Sequence, residues 1–149
     1  MRTLAAVLVL MLTPVVALAQ ATPVPNAAEL VKAADWKAME TITVVMGEHH
    51  YTPQDLTLKA GKPYKIELKN EGDKDHYYTA PEFFQNVAWR KVMVNKQAEI
   101  KAPYFSAVEI LKKGQLDLYL IPVNKGSYVV YCTIDDHRQQ GMEGRITIE

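Results

Sequence analysis

Residues 128–148 read YVVYCTIDDHRQQGMEGRITI. An alternating run ends at Cys132, the only cysteine of the chain, and a polar loop then carries His137 before a second alternating run follows Met142. This alternation predicts two half-buried strands joined by the loop, with the Cys132 side chain turned into the core. A thiolate, an imidazole and a thioether on one short loop suit copper far better than calcium or magnesium.

The same two-residue period recurs from Thr41 onward, and turn residues separate the runs. Short strands of this kind in one chain predict an all-β domain built as a two-sheet sandwich. Residues 82–94 break the pattern, and we expect there an irregular insertion with one or two helical turns whose aromatic side chains pack on the sandwich. The apolar positions that alternate are Ile42, Val44 and Met46; Tyr64, Ile66 and Leu68; and Leu116, Leu118 and Leu120.

The N-terminus has the composition of a secretory signal peptide. A basic Arg2 precedes an apolar run over residues 4–16, and small residues end at Ala19. A membrane anchor is the alternative, but a spanning helix needs about 20 apolar residues, and this run is shorter and contains Pro14. We therefore predict a cleaved signal peptide over residues 1–19 and an exported, periplasmic protein that does not span the membrane after cleavage.

The rest of the chain is predicted to form one domain with a short leader. Residues 20–40 are a linker and a short helix, which we expect over residues 27–34 with Asn26 as its cap. The folded domain is predicted over residues 41–149. Apart from Arg2 the chain has 16 basic and 17 acidic residues, so neither a nucleic-acid surface nor a membrane-binding face is indicated.

A trigonal blue-copper centre needs a second histidine, and His76 is the best candidate. It lies about fifty residues upstream of Cys132, so its approach depends on the fold rather than on local spacing. The predicted metal ligands are His76, Cys132, His137 and Met142. The alternatives are a buried structural thiol at Cys132 and a solvated loop histidine at His76.

A second copper site near the end of the first strand is a weaker hypothesis. Met46, Glu48 and His50 share a parity along the strand, whereas the adjacent His49 and His50 point to opposite faces. Ordinary surface residues beside a turn are the favoured interpretation. Since His49 and His50 are the only other histidines, the chain is limited to one redox copper, and no serine nucleophile is in place; we predict that it is not an enzyme.

An ordered set of motifs resembles the cupredoxin family of small blue-copper proteins over residues 41–149. The Cys-x4-His-x4-Met spacing is similar to that of rusticyanin-like members and of periplasmic copper-handling cupredoxins. The resemblance implies a Greek-key β-sandwich with one type 1 copper near one end, bound by ring nitrogens of His76 and His137, the Cys132 thiolate and a weak axial Met142. The motifs are Tyr51-Thr52-Pro53, Leu58 to Pro63, Asn70-Glu71-Gly72 before His76, Pro122 to Tyr128, Tyr131-Cys132, His137, and Gly141 to Gly144.

Two functions follow from this resemblance. The first is single-electron transfer through Cu(II)/Cu(I), in which the electron leaves by an exposed edge of His137 to a cytochrome, oxidase or reductase. The second is copper binding for tolerance or delivery, with a copper donor or acceptor protein as partner. The complete ligand set favours the first, and the polar residues at 135–140 favour the second, because electron carriers usually have apolar surroundings there. A subunit that docks on a larger membrane complex is a third possibility.

Overall fold

Eleven strands and two short helices make up the fold in a computed structural model, which describes residues 24–149. The predicted signal peptide, residues 1–19, lies outside the described residues. The helices are α1 (Ala27–Ala33) and α2 (Pro81–Gln85); the strands are β1 (Glu40–Gly47), β2 (His50–Thr52), β3 (Leu56–Leu58), β4 (Tyr64–Asn70), β5 (His76–Thr79), β6 (Val87–Val94), β7 (Ala98–Ile100), β8 (Ala107–Ile110), β9 (Gln115–Pro122), β10 (Gly126–Tyr131) and β11 (Glu143–Ile148).

The strands form two mixed sheets. One sheet has the order β2-β1-β4-β9-β6-β7 and the other the order β3-β11-β10-β5-β8. The β1–β4 and β3–β11 pairs are parallel, and the remaining pairs are antiparallel. Buried side chains from both sheets belong to one core cluster, so the predicted all-β sandwich is confirmed.

Strand β4 shows how the alternating pattern builds this core. Tyr64, Ile66 and Leu68 are buried, while the intervening lysines and Glu67 are half-buried on the other face. Burying an apolar side chain of this size contributes about 1.5–3 kcal/mol. The same rule places Val130 and Cys132 in the core at the end of β10, as predicted.

The interpretation of residues 82–94 is wrong over most of its length. Only α2 is helical there, and Val87–Val94 form a strand that pairs with both β9 and β7. The register with β9 shifts between Trp89 and Lys91. Such an irregularity puts the two halves of a strand out of phase, which hides the two-residue period from a sequence-based search.

The N-terminal helix is close to the predicted one. It spans Ala27–Ala33, one residue short of the expected range, and it packs against β6 and β9. Asn26 occupies the cap position, but its side chain makes no capping hydrogen bond. Its backbone (φ −108°, ψ 26°) lies outside the extended region in which a cap side chain reaches the first-turn N–H groups. Within residues 24–149, neither helix is long and apolar enough to cross a membrane.

Candidate metal centre

The loop between β10 and β11 folds back on itself. The backbone N–H of Cys132 donates to the carbonyl oxygen of Met142, and the N–H of Met142 donates to that of His137, both at 3.0 Å. Gly141 makes the return with φ +106°, a conformation that favours glycine. The loop therefore holds Cys132, His137 and Met142 together at one end of the β10–β11 hairpin, and all three are buried.

Strand pairing brings the upstream histidine to this loop. His76 begins β5, which pairs with β8 on one side and with β10 on the other. One ligand atom from each of His76, Cys132 and His137 lies within 4.8 Å of the other two. The centroids of the two imidazole rings are 5.1 Å apart. All three side chains are buried, so the cluster is closed to water.

The Cys132 sulfur has two polar neighbours. Its Sγ lies 3.6 Å from Nδ1 of His137, and the backbone N–H of Tyr77 donates to it at 3.4 Å. A backbone N–H in this position complements the negative charge that a metal-bound sulfur carries. The phenol of Tyr77 points elsewhere and donates to the Glu109 carboxylate at 3.0 Å. Strand β5 thus supplies both an imidazole and a hydrogen bond to the sulfur.

The Asn70-Glu71-Gly72 motif shapes the segment that leads to His76. Asn70 is buried, and its side chain bonds three backbone groups, among them the N–H of Gly72 at 2.9 Å. A Cβ at Gly72 would lie 3.0 Å from Nε2 of His76 and 2.5 Å from Oε1 of Glu48. A larger residue here would therefore displace the Glu48 carboxylate and crowd the His76 ring, and no turn signal in the sequence predicts that contact.

The β1–β2 turn carries two residues, Glu48 and His49, whose contact with the predicted ligands was not expected from the sequence. Oε1 of Glu48 lies 3.8 Å from Nε2 of His76 and accepts the N–H groups of Asp73 and Lys74. The ring of His49 packs edge-on against that of His137, with centroids 4.8 Å apart. No periodicity signal identifies either residue, because a turn does not follow strand parity.

Comparison with known proteins identifies the family. A family model described as a cupredoxin-like domain matches residues 7–148. The chain belongs to the cupredoxin family. It is 24% identical over 159 residues to the copper-resistant cuproprotein CopI of Pseudomonas aeruginosa, an alignment that covers 88% of each chain.

Solved cupredoxin structures share the fold. Reduced auracyanin from the photosynthetic bacterium Roseiflexus castenholzii matches with a TM-score of 0.53 at 18% identity, over 75% of this chain and 98% of that chain. The copper nitrite reductase of Nitrosomonas europaea matches with a TM-score of 0.59 at 15% identity, over 79% of this chain and 52% of that one. At such low identity, these two likenesses show the cupredoxin fold alone.

The cluster of this cupredoxin fits a single type 1 copper ion. Both ring nitrogens of His76 and Nε2 of His137 are buried without a hydrogen-bond partner, an arrangement that polypeptide groups normally avoid. Burial lowers the pKa of His76 more than the charge of Glu48 raises it, which keeps the imidazole neutral and able to ligate. Two imidazoles and a cysteine sulfur within reach of one another are a combination typical of copper sites.

One expectation about the surroundings of the cupredoxin site is wrong, and one weaker alternative is not supported. The edge of His137 is not exposed: the residue is only 1% exposed, and His49 packs against its ring. The alternative second site is not formed either, because Met46 lies in the core while His50 is exposed, with its Nδ1 2.9 Å from the carbonyl oxygen of Glu48. The left-handed backbone of His49 (φ +63°) separates it from the strand pattern assumed in the prediction.

Proposed function

We propose that this cupredoxin is an exported copper-binding protein that serves copper tolerance or delivery. The burial of His137 carries this proposal, because outer-sphere electron transfer requires a partner to come close to an edge of a ligand. Around this histidine the exposed side chains are polar, as at Asp135, Asp136 and Arg138, which suits charged contact with a copper donor or acceptor protein. The similarity to a copper-resistant cuproprotein supports the same function.

We assign His76, Cys132 and His137 as the residues that would hold the copper ion, with Met142 as a weaker fourth ligand. The mutual distances within the His-Cys-His cluster and the full burial of Met142 support this assignment. When bound, copper would supply the Cu(II)/Cu(I) couple at this position. The chain itself closes the cage to water, and the N–H of Tyr77 stabilises the negative sulfur. The Glu48 carboxylate lies 3.8 Å from Nε2 of His76, where its negative charge favours a bound cation.

The proposed location is the periplasm. Residues 1–19 have the charge, the apolar run and the small-residue cleavage site of a signal peptide. A single cysteine that serves as a metal ligand is compatible with an oxidising compartment, since no second cysteine is present to form a disulfide with it. We propose residues 41–149 as the copper-binding domain, preceded by the linker and helix of residues 20–40.

Electron transfer is the second candidate, and one observation favours it. The three clustered ligands come from two separate parts of the core, β5 and the 132–142 loop. A site anchored in this way resists rearrangement, so it would keep nearly one geometry in both oxidation states. A cytochrome, an oxidase or a reductase would then be the partner.

The first experiment tests the copper centre itself. The chain is expressed in full, purified after export, titrated with Cu(II) and compared with a Cys132→Ser variant by visible and electron paramagnetic resonance spectroscopy. An intense thiolate-to-copper band at one copper per chain, absent from the variant, is the expected result. A parent chain without this band, or a band that survives in Cys132→Ser, would refute the ligand assignment.

The second experiment separates the two functions. A tolerance or delivery protein should transfer copper to a chelator or an acceptor protein, and deleting its gene should sensitise cells to copper without slowing respiration. An electron carrier should instead exchange electrons rapidly with a cytochrome while it retains its copper. Rapid exchange combined with unchanged copper tolerance in the deletion strain would overturn our first choice.

A further inference from the structure

The β1–β2 turn, residues 47–50, touches both imidazoles of the cluster. Glu48 lies beside His76 and His49 beside His137, although the two residues are adjacent in the chain. His76, Cys132, His137 and Met142 are all at most 1% exposed. Copper from solvent can therefore reach these ligands only if residues at the edge of the site bind it first or if the site opens. The turn combines donor atoms with access to solvent next to the cluster.

His49 has the features of a ligand rather than of a passive cover. It is half-buried, yet its Nε2 is buried and has no hydrogen-bond partner. Its backbone has φ +63°, a conformation that a non-glycine residue adopts only at a cost, and this conformation turns the ring towards His137. The neighbouring His50 has neither feature: it is exposed, and its Nδ1 contacts the carbonyl oxygen of Glu48.

His137 offers a matching donor. Its Nδ1 faces the Cys132 sulfur at 3.6 Å, so Nε2 lies on another side of the ring, where it too is buried and unpartnered. His49 and His137 thus present two unpartnered Nε2 atoms on rings that are in edge contact. Imidazole nitrogen is a good ligand for copper in either oxidation state. The carboxylate of Glu48 on the same turn adds negative charge that attracts a cation.

We propose that His49 is a further copper ligand. Together with Nε2 of His137, it binds copper transiently, before the metal reaches the Cys132 thiolate or after the metal leaves it. This inference rests on the proposed copper-handling function. The transfer needs no oxidant or reductant, because copper changes its ligands and keeps its oxidation state. The thiol of Cys132 releases its proton to solvent when it becomes a ligand.

The test uses Cu(I) as the probe, with a chromophoric chelator as competitor, in a Cys132→Ser background that lacks the thiolate. His49→Asn tolerates the left-handed backbone and removes the ring, His49→Phe keeps a ring over His137 without a nitrogen, and His50→Ala is the matched control. We expect the Cys132→Ser chain to bind one Cu(I), and both His49 variants to bind it at least about tenfold more weakly, with the control unchanged. Nitrogen-15 shifts of the histidine side chains should identify His49 and His137 as the residues that respond.

Loading of the parent chain supplies an independent readout. With Cys132 present, both His49 variants should acquire the thiolate-to-copper band more slowly than the parent while they reach the same final spectrum. Three outcomes would each overturn the inference and show that His49 only shields His137 from solvent. These are equal Cu(I) affinity with and without His49, no Cu(I) binding to the Cys132→Ser chain, and loading of His49→Phe at the rate of the parent. Absence of the band from the parent chain would instead refute the proposed function, and the Cys132→Ser titration would still decide the role of His49.

Discussion

Asn70 should be the polar side chain that contributes most to the stability of the segment before His76. Its Nδ2 donates to the carbonyl oxygens of Lys74 at 2.8 Å and Ile110 at 2.9 Å, and its Oδ1 accepts the N–H of Gly72 at 2.9 Å. Asn70 is 3% exposed, so Asn70→Ala removes three hydrogen bonds and leaves the buried N–H of Gly72 and carbonyl oxygen of Ile110 with little access to water. Each such bond contributes about 1 kcal/mol net, so we expect a loss of about 3 kcal/mol in the free energy of unfolding.

Urea unfolding of the metal-free chain measures this loss, and the melting temperature should fall by about 10 °C for a domain of this size. Asn70→Asp keeps the acceptor for Gly72 but loses both donors, and it should therefore also be clearly destabilised. Asn124→Ala is the matched control, since it removes one exposed hydrogen bond to Asn86 and should cost less than about 0.5 kcal/mol. If Asn70→Ala were as stable as this control, the reasoning from buried hydrogen bonds would be refuted.

Three further predictions concern other parts of the sandwich. A hydrogen bond from Lys65 lowers the pKa of Glu67 from 4.5 to about 2, so the stabilisation by ionised Glu67 is present above pH 4.5 and is lost as the pH falls towards 2. Glu67→Gln should lower the free energy of unfolding by about 1–2 kcal/mol at pH 7, and urea unfolding should show a weaker loss of stability in acid than the parent shows. Gly144→Ala should cost about 3 kcal/mol in the same assay, because its Cβ would collide with the backbone carbonyl of Gln54, and a fully stable variant would contradict this contact. Tyr77→Phe should leave the thiolate-to-copper band unchanged, because the backbone N–H rather than the phenol bonds the sulfur; a shifted band in visible spectra would contradict that assignment.

Strand prediction succeeded where the two-residue period is unbroken. Tyr64, Ile66 and Leu68 are buried as their alternation indicates, because each strand of a sandwich has one face in the core. Residues 87–94 escaped prediction because the irregularity at Trp89 shifts the period within one strand. The missing cap bond at Asn26 has a similar origin, since residue type indicates a cap but the backbone conformation decides whether the bond forms.

The surroundings of the metal centre were less predictable than its candidate ligands. From the sequence, His49 and His50 were placed on opposite faces of a strand, with only His50 on the face of Met46 and Glu48, and both were favoured as ordinary surface residues. His49 itself has a left-handed backbone conformation (φ +63°), and its ring packs against that of His137, whereas His50 is exposed to solvent. The ring of His49 covers His137, whose edge was expected to be exposed, and the burial of His137 is the basis of the copper-handling proposal.

The sequence by itself determined the local features of this cupredoxin: the alternating strands, and the loop that carries Cys132, His137 and Met142 at short intervals. These are local because neighbouring residues in a strand or a short loop have few conformations to choose from. Only the tertiary structure decided that His76 meets this loop, that Glu48 and His49 lie against the two imidazoles, and that His137 is buried. These contacts join residues far apart in the chain, so they depend on strand pairing and on the backbone angles of one turn, which no sequence spacing records.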